Sequence, residues 1–345
     1  MMRLPSFRWY APRELGEAAR ILAGEGPQAL PVAGGTDLLP NMKRRQQMPR
    51  ALVSLQGIDR LRESRNGAGL TLGATTTLAG VVRHAQVRAS YPGLWQAAAQ
   101  VATPHLRAMG TLGGNLCLDT RCNYYDQSYE WRKAISFCMK KDGETCWVAP
   151  ASRRCLAVSS TDTAPALLAL DARVLLVSAS GERELALDEL YRNDGIDYLT
   201  RRSDEILAEV YLPAASGRRS TYWKLRRRGS FDFPVLSVAA ALDVDPAGTV
   251  ERARIVLGAV ASRPLSAERA AAGLVGKPLT DAAITAAATT AAEIAKPMDN
   301  TDFTLHWRKR VTAEFVSYAL RELRGDDMRA TRIRIARHAL DSVAG

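Results

Sequence analysis

Residues 32–40 read Val-Ala-Gly-Gly-Thr-Asp-Leu-Leu-Pro and begin at the end of a short apolar segment, residues 29–33, that is predicted to be a strand. A second glycine pair lies in Thr-Leu-Gly-Gly-Asn at residues 111–115. Glycine allows close backbone approach and positive φ, so consecutive N–H groups in such loops can hold the oxygens of a pyrophosphate. Each pair taken alone is more often a plain tight turn.

Neither glycine loop matches the common nucleotide-binding motifs. The first loop lacks the G-x-G-x-x-G spacing of a Rossmann fold, and no Gly-Lys-Ser/Thr follows it as in a P-loop. A dinucleotide bound here must therefore be held by a different fold.

Length and composition set the class of protein. The chain has 345 residues, an apolar fraction of 47% and a formal charge of +11, which predict two or three ordinary globular domains. No run approaches 18 apolar residues, so we expect no membrane-spanning helix and no membrane partner. Residues 1–10 lack the apolar core of a secretory signal, and we expect a cytoplasmic protein.

The positive charge is spread over separate parts of the chain. Basic runs occur at residues 44–45 and 226–228, and residues 324–345 carry five arginines. No recognised nucleic-acid module accompanies them, so we expect no nucleic-acid partner. The C-terminal run is predicted to form either a basic helix or a frayed end, and the pattern favours a solvated helix.

Local patterns predict an α+β chain without regular βα alternation. Helices are expected at residues 12–23, 78–84, 91–101, 266–272, 281–295 and 303–323. Strands are expected at residues 29–33, 51–55, 70–74, 205–212, 222–226, 235–244 and 252–260. Regular patterning also occurs at residues 163–170 and 173–178, and Pro-Ala-Ala-Ser-Gly at residues 213–217 is typical of a domain boundary.

All five cysteines lie within residues 117–155, and four of them, Cys122, Cys138, Cys146 and Cys155, share a poorly patterned stretch. Clustered thiols in a reducing compartment indicate metal binding more often than disulfides. Zinc sites usually use close C-x-x-C pairs, whereas 15, 7 and 8 residues separate these thiols. The spacing favours a [4Fe-4S] cluster over zinc, and four unrelated buried thiols are the third alternative.

Three segments, in their order and spacing, resemble the signatures of the flavin subunits of the xanthine dehydrogenase family. They are residues 32–40, residues 107–117 (Arg-Ala-Met-Gly-Thr-Leu-Gly-Gly-Asn-Leu-Cys) and residues 161–170 (Thr-Asp-Thr-Ala-Pro-Ala-Leu-Leu-Ala-Leu). Lys224 and the Phe-Asp-Phe-Pro of residues 231–234 resemble the start of that family's C-terminal domain. The resemblance covers residues 7–323.

The resemblance implies a two-subdomain FAD-binding domain of the PCMH type, followed by an α+β C-terminal domain of the CO dehydrogenase flavoprotein type. The expected divisions are FAD-binding subdomain 1 at residues 1–55, subdomain 2 at residues 56–215 with an insertion at about 119–160, the C-terminal domain at residues 218–325 and a basic tail at residues 326–345.

The resemblance also implies a set of FAD-binding residues. Those expected around the pyrophosphate are Val32, Ala33, Gly34, Gly35, Thr36, Asp37, Leu38, Gly110, Thr111, Leu112, Gly113 and Gly114. Asp162 is expected to accept hydrogen bonds from the ribityl or adenosine hydroxyls, and Asn123 is a further candidate contact. Thr103 and Lys224 are expected nearer the isoalloxazine, where a positive charge stabilises reduced flavin. Without the family, Asp162 is equally a helix N-cap and Lys224 a solvated strand lysine.

The insertion itself resembles the flavin and iron–sulfur subunits of the 4-hydroxybenzoyl-CoA reductases, on its four cysteines and on Thr-Arg-Cys-Asn-Tyr-Tyr-Asp-Gln-Ser at residues 120–128. This implies that Cys122, Cys138, Cys146 and Cys155 hold a [4Fe-4S] cluster, while Cys117 packs as a small apolar residue. Basic side chains of the insertion, Arg132, Lys133, Lys140, Lys141, Arg153 and Arg154, are candidates for docking an acidic donor or for a solvated face.

The implied function is electron transfer in a ferredoxin-dependent molybdenum enzyme that reductively dehydroxylates 4-hydroxybenzoyl-CoA. Electrons are expected to pass from ferredoxin through the cluster and FAD to a subunit with two [2Fe-2S] centres and to a molybdenum-cofactor subunit, in a dimer of heterotrimers. We expect no catalytic residue in this chain. The alternatives are the flavin subunit of a related hydroxylase with another aromatic substrate, and a non-enzymatic module ordered by zinc.

Overall fold

The first part of the chain forms a small parallel sheet with one packed helix. A computed structural model describes residues 3–229 and 231–338. The elements are β1 (Arg8–Tyr10), α1 (Leu15–Glu25), β2 (Ala29–Val32), α2 (Leu38–Lys43) and β3 (Ala51–Ser54), with sheet order β1-β3-β2. Helix α1 buries Leu15, Ala18, Ala19 and Leu22, the i, i+3, i+4, i+7 stripe of an amphipathic helix. This stripe packs between the parallel sheet and the larger sheet that follows.

The second part is a five-stranded antiparallel sheet with helices before and between its strands. Its elements are β4 (Ser64–Asn66), β5 (Gly69–Gly73), α3 (Leu78–Arg83), α4 (Ala85–Ser90), α5 (Pro92–Ala99), α6 (Pro104–Met109), α7 (Leu112–Leu116), α8 (Tyr129–Ala134), α9 (Thr163–Ala169), β6 (Arg173–Ser178), β7 (Gly181–Ala186) and β8 (Ile206–Pro213). The strand order is β4-β5-β8-β6-β7. All seven residues of α9 are buried, because this helix lies between the second part and the third.

The third part is an antiparallel sheet covered by helices. Its elements are β9 (Arg219–Leu225), β10 (Leu236–Val244), β11 (Val250–Gly258), β12 (Leu265–Ser266), α10 (Glu268–Ala272), α11 (Asp281–Ile294), α12 (Leu305–Arg324) and α13 (Arg329–His338). The strand order is β12-β11-β10-β9. Helices α11 and α12 pack together, and α12 also packs on the sheet, whereas α5 and α9 contact the same sheet from the second part. None of the helices within the described ranges is both long and apolar enough to cross a bilayer.

The predicted α+β class is confirmed. Short edge strands β1, β4 and β7 were missed, because strands of three to six largely exposed residues give little periodic signal. The second glycine pair was predicted as an open loop, which is wrong: Gly113 and Gly114 lie in helix α7. The Thr111 hydroxyl caps this helix by accepting a hydrogen bond from the Gly114 N–H at 3.1 Å.

Residues 329–338 of the basic tail are helical as predicted, but this helix is not simply solvated. The Arg332 guanidinium on α13 stacks on the Trp223 ring at 4.0 Å and bonds Glu322 at 2.6 Å. This stacking fixes α13 against the third part. Residues 339–345 of the predicted tail, and residues 1–2 of the predicted first subdomain, lie outside the described residues.

An ion cluster links the second part to the third. Asp171, which follows α9, accepts hydrogen bonds from Arg218 at 2.6 Å, from Arg254 at 2.8 Å and from Arg252. Burial acts to raise the pKa of Asp171, but the bonds from Arg218 and Arg254 outweigh it and hold the pKa below its ordinary 3.8. The charged carboxylate is therefore the form that joins the two parts.

We expect Asp171→Asn to lower the free energy of unfolding at pH 7 by about 1.5–3 kcal/mol, the range for hydrogen bonds to charged groups. A depressed carboxylate pKa contributes stability above the unfolded pKa, and this stability is lost as the pH falls through the folded pKa. The difference from the wild type should therefore shrink below pH 3.8. Denaturant unfolding across pH 2–7 measures it. The exposed pair Arg173–Glu184 provides the control, since solvent screens this pair and Glu184→Gln should change the unfolding free energy far less; equal losses would contradict the assignment.

Candidate functional site

A cavity of about 520 Å³ lies where the two glycine segments face each other. One wall is the segment from β2 to α2, residues 30–38, and another is formed by residues 110–111 and 113–115 around the start of α7. Further wall residues come from the turn after β5, from the segment at residues 101–106, and from residues 231–233 of the third part. All three parts of the chain thus contribute to one site.

The two glycine segments touch through backbone. A Cβ on Gly34 would lie 1.9 Å from the Met109 carbonyl oxygen, so only glycine allows this approach. Gly35 has a φ of 68°, which also favours glycine. Within residues 3–229 and 231–338, the N–H groups of Gly34, Gly35 and Thr36 donate no hydrogen bond. These free donors on the cavity wall match the requirement of a pyrophosphate-binding loop.

Arg121 ties the first glycine loop to the insertion. Its guanidinium pairs with Asp37 of that loop and with Asp126 at 3.1 Å, and it lies 4.7 Å from the Phe233 ring centroid. Arg121 also lines the cavity, as do Arg201 and Arg228. None of these three arginines was predicted as a site residue. Arg121 was noted only within the 120–128 motif and Arg228 only within a basic run, and neither pattern indicates that the side chain faces the cavity.

Asp162 lies on the cavity wall with both carboxylate oxygens already engaged. The Tyr222 hydroxyl donates to one oxygen at 2.7 Å, and the Lys224 ammonium donates to the other at 3.0 Å. Burial raises the pKa of Asp162 while the Lys224 charge opposes it, and burial lowers the pKa of Lys224. Asp162 occupies the N-cap position of α9, but its side chain makes no capping bond.

Lys224 lies behind Asp162, not on the cavity surface. Its side chain is fully buried, and its ammonium also donates to the Gln100 carbonyl at 3.1 Å. This bond fixes the segment that leads into Val101 and Ala102, which do line the cavity. Lys224 is thus placed to position the cavity wall through its neighbours.

The other predicted flavin residues divide into two groups. Those that line the cavity are Val32, Ala33, Gly34, Gly35, Thr36, Asp37, Leu38, Gly110, Thr111, Gly113, Gly114 and Asp162. Those that do not are Thr103, Leu112, Asn123 and Lys224. Thr103 caps α6 through the Leu106 N–H at 3.3 Å, Leu112 is in the core, and Asn123 is exposed. Cys117, predicted to pack as a small apolar residue, is partly buried on the cavity wall.

The four clustered cysteines line one small pocket. Cys122, Cys138, Cys146 and Cys155 are each buried and free of disulfides. Burial raises the pKa of Cys122 to about 12 and that of Cys155 to about 11, in the second case against the opposing charge of Lys140. Widely spaced cysteines thus meet at one place in the fold.

Two features of the fold form this pocket. Arg121 and Val158 exchange backbone hydrogen bonds of 2.8 and 2.7 Å, which closes the base of the insertion beside Cys122. The loop at residues 192–199 supports the other side, since the Gly195 N–H bonds the Cys155 carbonyl at 2.9 Å. A Cβ on Gly195 would lie 2.6 Å from the Cys155 sulfur. This loop was not predicted, because nothing in its local sequence indicates its function.

The donor geometry does not match a single metal ion. Among the described residues, no group of three or more His, Cys, Asp or Glu side chains is arranged to hold one. The basic docking face predicted on the insertion is also only partly present. Arg132 is fully buried and Lys140 is 6% exposed in an ion pair, because both side chains turn inward. Lys133, Arg153 and Arg154 remain exposed.

Two protein-family matches cover nearly all of the chain. Residues 5–215 match the FAD binding domain in molybdopterin dehydrogenase, and residues 220–323 match the CO dehydrogenase flavoprotein C-terminal domain. The chain belongs to the flavin subunits of the xanthine dehydrogenase family. This confirms FAD as the cofactor of this flavin subunit and identifies it as part of the molybdenum hydroxylase group.

Relatives of this flavin subunit act in several enzymes. The aldehyde oxidoreductase FAD-binding subunit of Escherichia coli K12 is 33% identical, over 74% of this chain and 82% of the relative. The nicotinate dehydrogenase FAD-subunit of Eubacterium barkeri is 28% identical, over 80% and 82%. Carbon monoxide dehydrogenase from Hydrogenophaga pseudoflava has a solved structure with a TM-score of 0.77, 28% identity, and coverage of 92% of this chain and 97% of that chain.

Proposed function

We propose that this flavin subunit carries FAD in the cavity and a [4Fe-4S] cluster in the four-cysteine pocket, and relays electrons within a molybdenum enzyme. The observation that carries the proposal is the meeting of Cys122, Cys138, Cys146 and Cys155 in one pocket beside the flavin cavity. When bound, the two groups would supply one-electron and two-electron carriers.

The donor set fits a cluster better than zinc. A tetrahedral zinc ion needs its thiolates about 2.3 Å from one point, whereas a four-iron cluster is bulkier and takes four thiolates that lie farther apart. All four cysteines line one pocket, and the described residues contain no recognisable site for a single ion. Cys122, Cys138, Cys146 and Cys155 would therefore be the cluster ligands.

The glycine segments would hold the FAD pyrophosphate. The free N–H groups of Gly34, Gly35 and Thr36 provide donors on the cavity wall. Asp162 would contact the cofactor only through lone pairs that Tyr222 and Lys224 leave available. We also propose that the chain divides into FAD-binding subdomain 1 at residues 1–55, subdomain 2 at residues 56–215, the C-terminal domain at residues 218–325 and a tail at residues 326–345.

For the assembled enzyme we propose reduction of 4-hydroxybenzoyl-CoA, supported by the four-cysteine insertion and its sequence at residues 120–128. The substrate would take up two electrons and two protons, and would give benzoyl-CoA and water. Electrons from ferredoxin would enter at the four-cysteine pocket and leave from the flavin cavity to partner subunits with two [2Fe-2S] centres and a molybdenum cofactor. The exposed Lys133, Arg153 and Arg154 are the side chains left to attract an acidic donor.

A second candidate is oxidation of an aldehyde, with electrons running outward. It is favoured by the 33% identity to the Escherichia coli aldehyde oxidoreductase subunit. In this case an aldehyde and water would give a carboxylate, two electrons and three protons.

Two measurements on the anaerobically purified complex test these proposals. Iron and acid-labile sulfide should be present beyond what two [2Fe-2S] centres contain, and zinc without sulfide in the isolated subunit would rule out the cluster. Activity with 4-hydroxybenzoyl-CoA and reduced viologen supports the first substrate. Activity with an aldehyde and an oxidised dye, and none with the thioester, supports the second.

A further inference from the structure

We propose that the buried Lys140–Asp119 ion pair sets the relative reduction potentials of the two redox groups. It places a positive charge beside the four-cysteine pocket and a negative charge beside the flavin cavity. This inference rests on the proposed function of both sites.

The ion pair forms the wall between the two sites. Lys140 lines the four-cysteine pocket, Asp119 lines the flavin cavity, and the Lys140 ammonium lies 2.8 Å from the Asp119 carboxylate. The two side chains are only 6% and 5% exposed. A charge pair with so little solvent contact is weakly screened by water and salt.

Both charges are fixed in position. The Lys140 ammonium also donates to the Thr120 hydroxyl at 2.7 Å and to the Gly195 carbonyl at 2.6 Å, so all three of its protons are used. Gly195 in turn bonds the Cys155 carbonyl, which places the ammonium close to that ligand.

Asp119 is held as firmly on its own side. Its second carboxylate oxygen accepts from the Tyr125 hydroxyl at 3.0 Å and from the Gln47 amide at 3.2 Å. The rings of Tyr125 and Tyr198 lie 4.8 and 5.5 Å from the Lys140 ammonium and complete the enclosure. These contacts restrain the pair in its present orientation.

The orientation of the pair gives a definite sign. A fixed positive charge stabilises the more negative, reduced form of a nearby group and raises its reduction potential, whereas a fixed negative charge lowers it. Lys140 thus raises the potential at the four-cysteine pocket, and Asp119 lowers the potential at the flavin cavity. Lys140 and Asp119 would act only through their charges, since neither has to exchange electrons.

Redox titration of the assembled complex, with the cluster followed by EPR and the flavin by absorbance, tests the assignment. Lys140→Met should make the cluster at least tenfold harder to reduce, a downward shift of about 59 mV for a one-electron couple. Lys140→Arg should keep the wild-type value. Asp119→Asn should shift the flavin potential upward. Lys141→Met removes a half-exposed neighbouring charge and should shift neither potential.

The outcomes separate this inference from the proposed function. If the wild type lacks a cluster, the proposed function fails. If the cluster is present but Lys140→Met shifts its potential no more than Lys141→Met, or shifts it upward, only the inference is overturned. If Lys140→Met purifies without iron, Asp119→Asn decides, because an unchanged flavin potential in that variant overturns the inference.

Discussion

Replacing Gly34 with alanine is expected to leave the purified protein largely without FAD. The new methyl group would lie 1.9 Å from the carbonyl oxygen and 2.6 Å from the carbonyl carbon of Met109. These atoms are backbone, so the two glycine segments would have to separate. Overpacking of this kind costs about 1–3 kcal/mol, and each 1.4 kcal/mol is about tenfold in affinity. FAD affinity should therefore fall by about tenfold to hundredfold.

The measurement is the ratio of flavin to protein after purification, followed by FAD titration of the apoprotein. Gly24→Ala is the matched control, because a Cβ there meets nothing within 4 Å and Gly24 lies in helix α1. The control should bind FAD as the wild type does and should gain about 0.5–1 kcal/mol in unfolding free energy. Wild-type FAD content in the Gly34 variant would refute the close contact between the segments.

Replacing Gly195 with alanine is expected to remove the iron and sulfide while FAD remains. The methyl group would lie 2.6 Å from the Cys155 sulfur and 2.7 Å from the Ala157 nitrogen. The Cys155 side chain would have to leave the four-cysteine pocket, at a cost of about 1–3 kcal/mol for overpacking. Three remaining thiolates would not complete the set of four that such a cluster uses.

Iron, acid-labile sulfide and FAD are measured on the same anaerobic preparation. Gly67→Ala, in the turn between β4 and β5, serves as the control, since its Cβ meets nothing within 4 Å. Retention of iron and sulfide in the Gly195 variant would argue against Cys155 as a ligand. Loss of both FAD and iron would instead indicate a general folding defect.

The first glycine pair on the cavity wall could be recognised from sequence, for a local physical reason. Gly34 and Gly35 follow a strand directly, and the constraint on them, backbone contact and positive φ, acts within a few residues. The four clustered cysteines could also be recognised from sequence, because all of them lie within a single insertion. The error at Gly113 and Gly114 was also local, since the Thr111 cap that makes them helical is itself a recognisable N-terminal signal.

The surroundings of both sites were not predictable in this way. Gly195 is 40 residues from Cys155, and Phe233 is more than 100 residues from Arg121, yet each pair is in contact. Such contacts depend on how the sheets are arranged in space, which no pattern of period 2 or 3.6 records. The inward turn of Lys140 was missed for the same reason, because a lysine in a basic run is normally solvated.

The pairing of Asp162 with Tyr222 and Lys224 limits how this architecture can evolve. The acceptor belongs to the segment matched as the flavin-binding family, and both donors belong to the segment matched as the second family. Exchanging either segment for an unrelated one would leave a buried carboxylate or a buried ammonium without its partner, a loss of about 3–5 kcal/mol. The two segments are therefore poor candidates for domain shuffling, and we expect them to be inherited together as one unit.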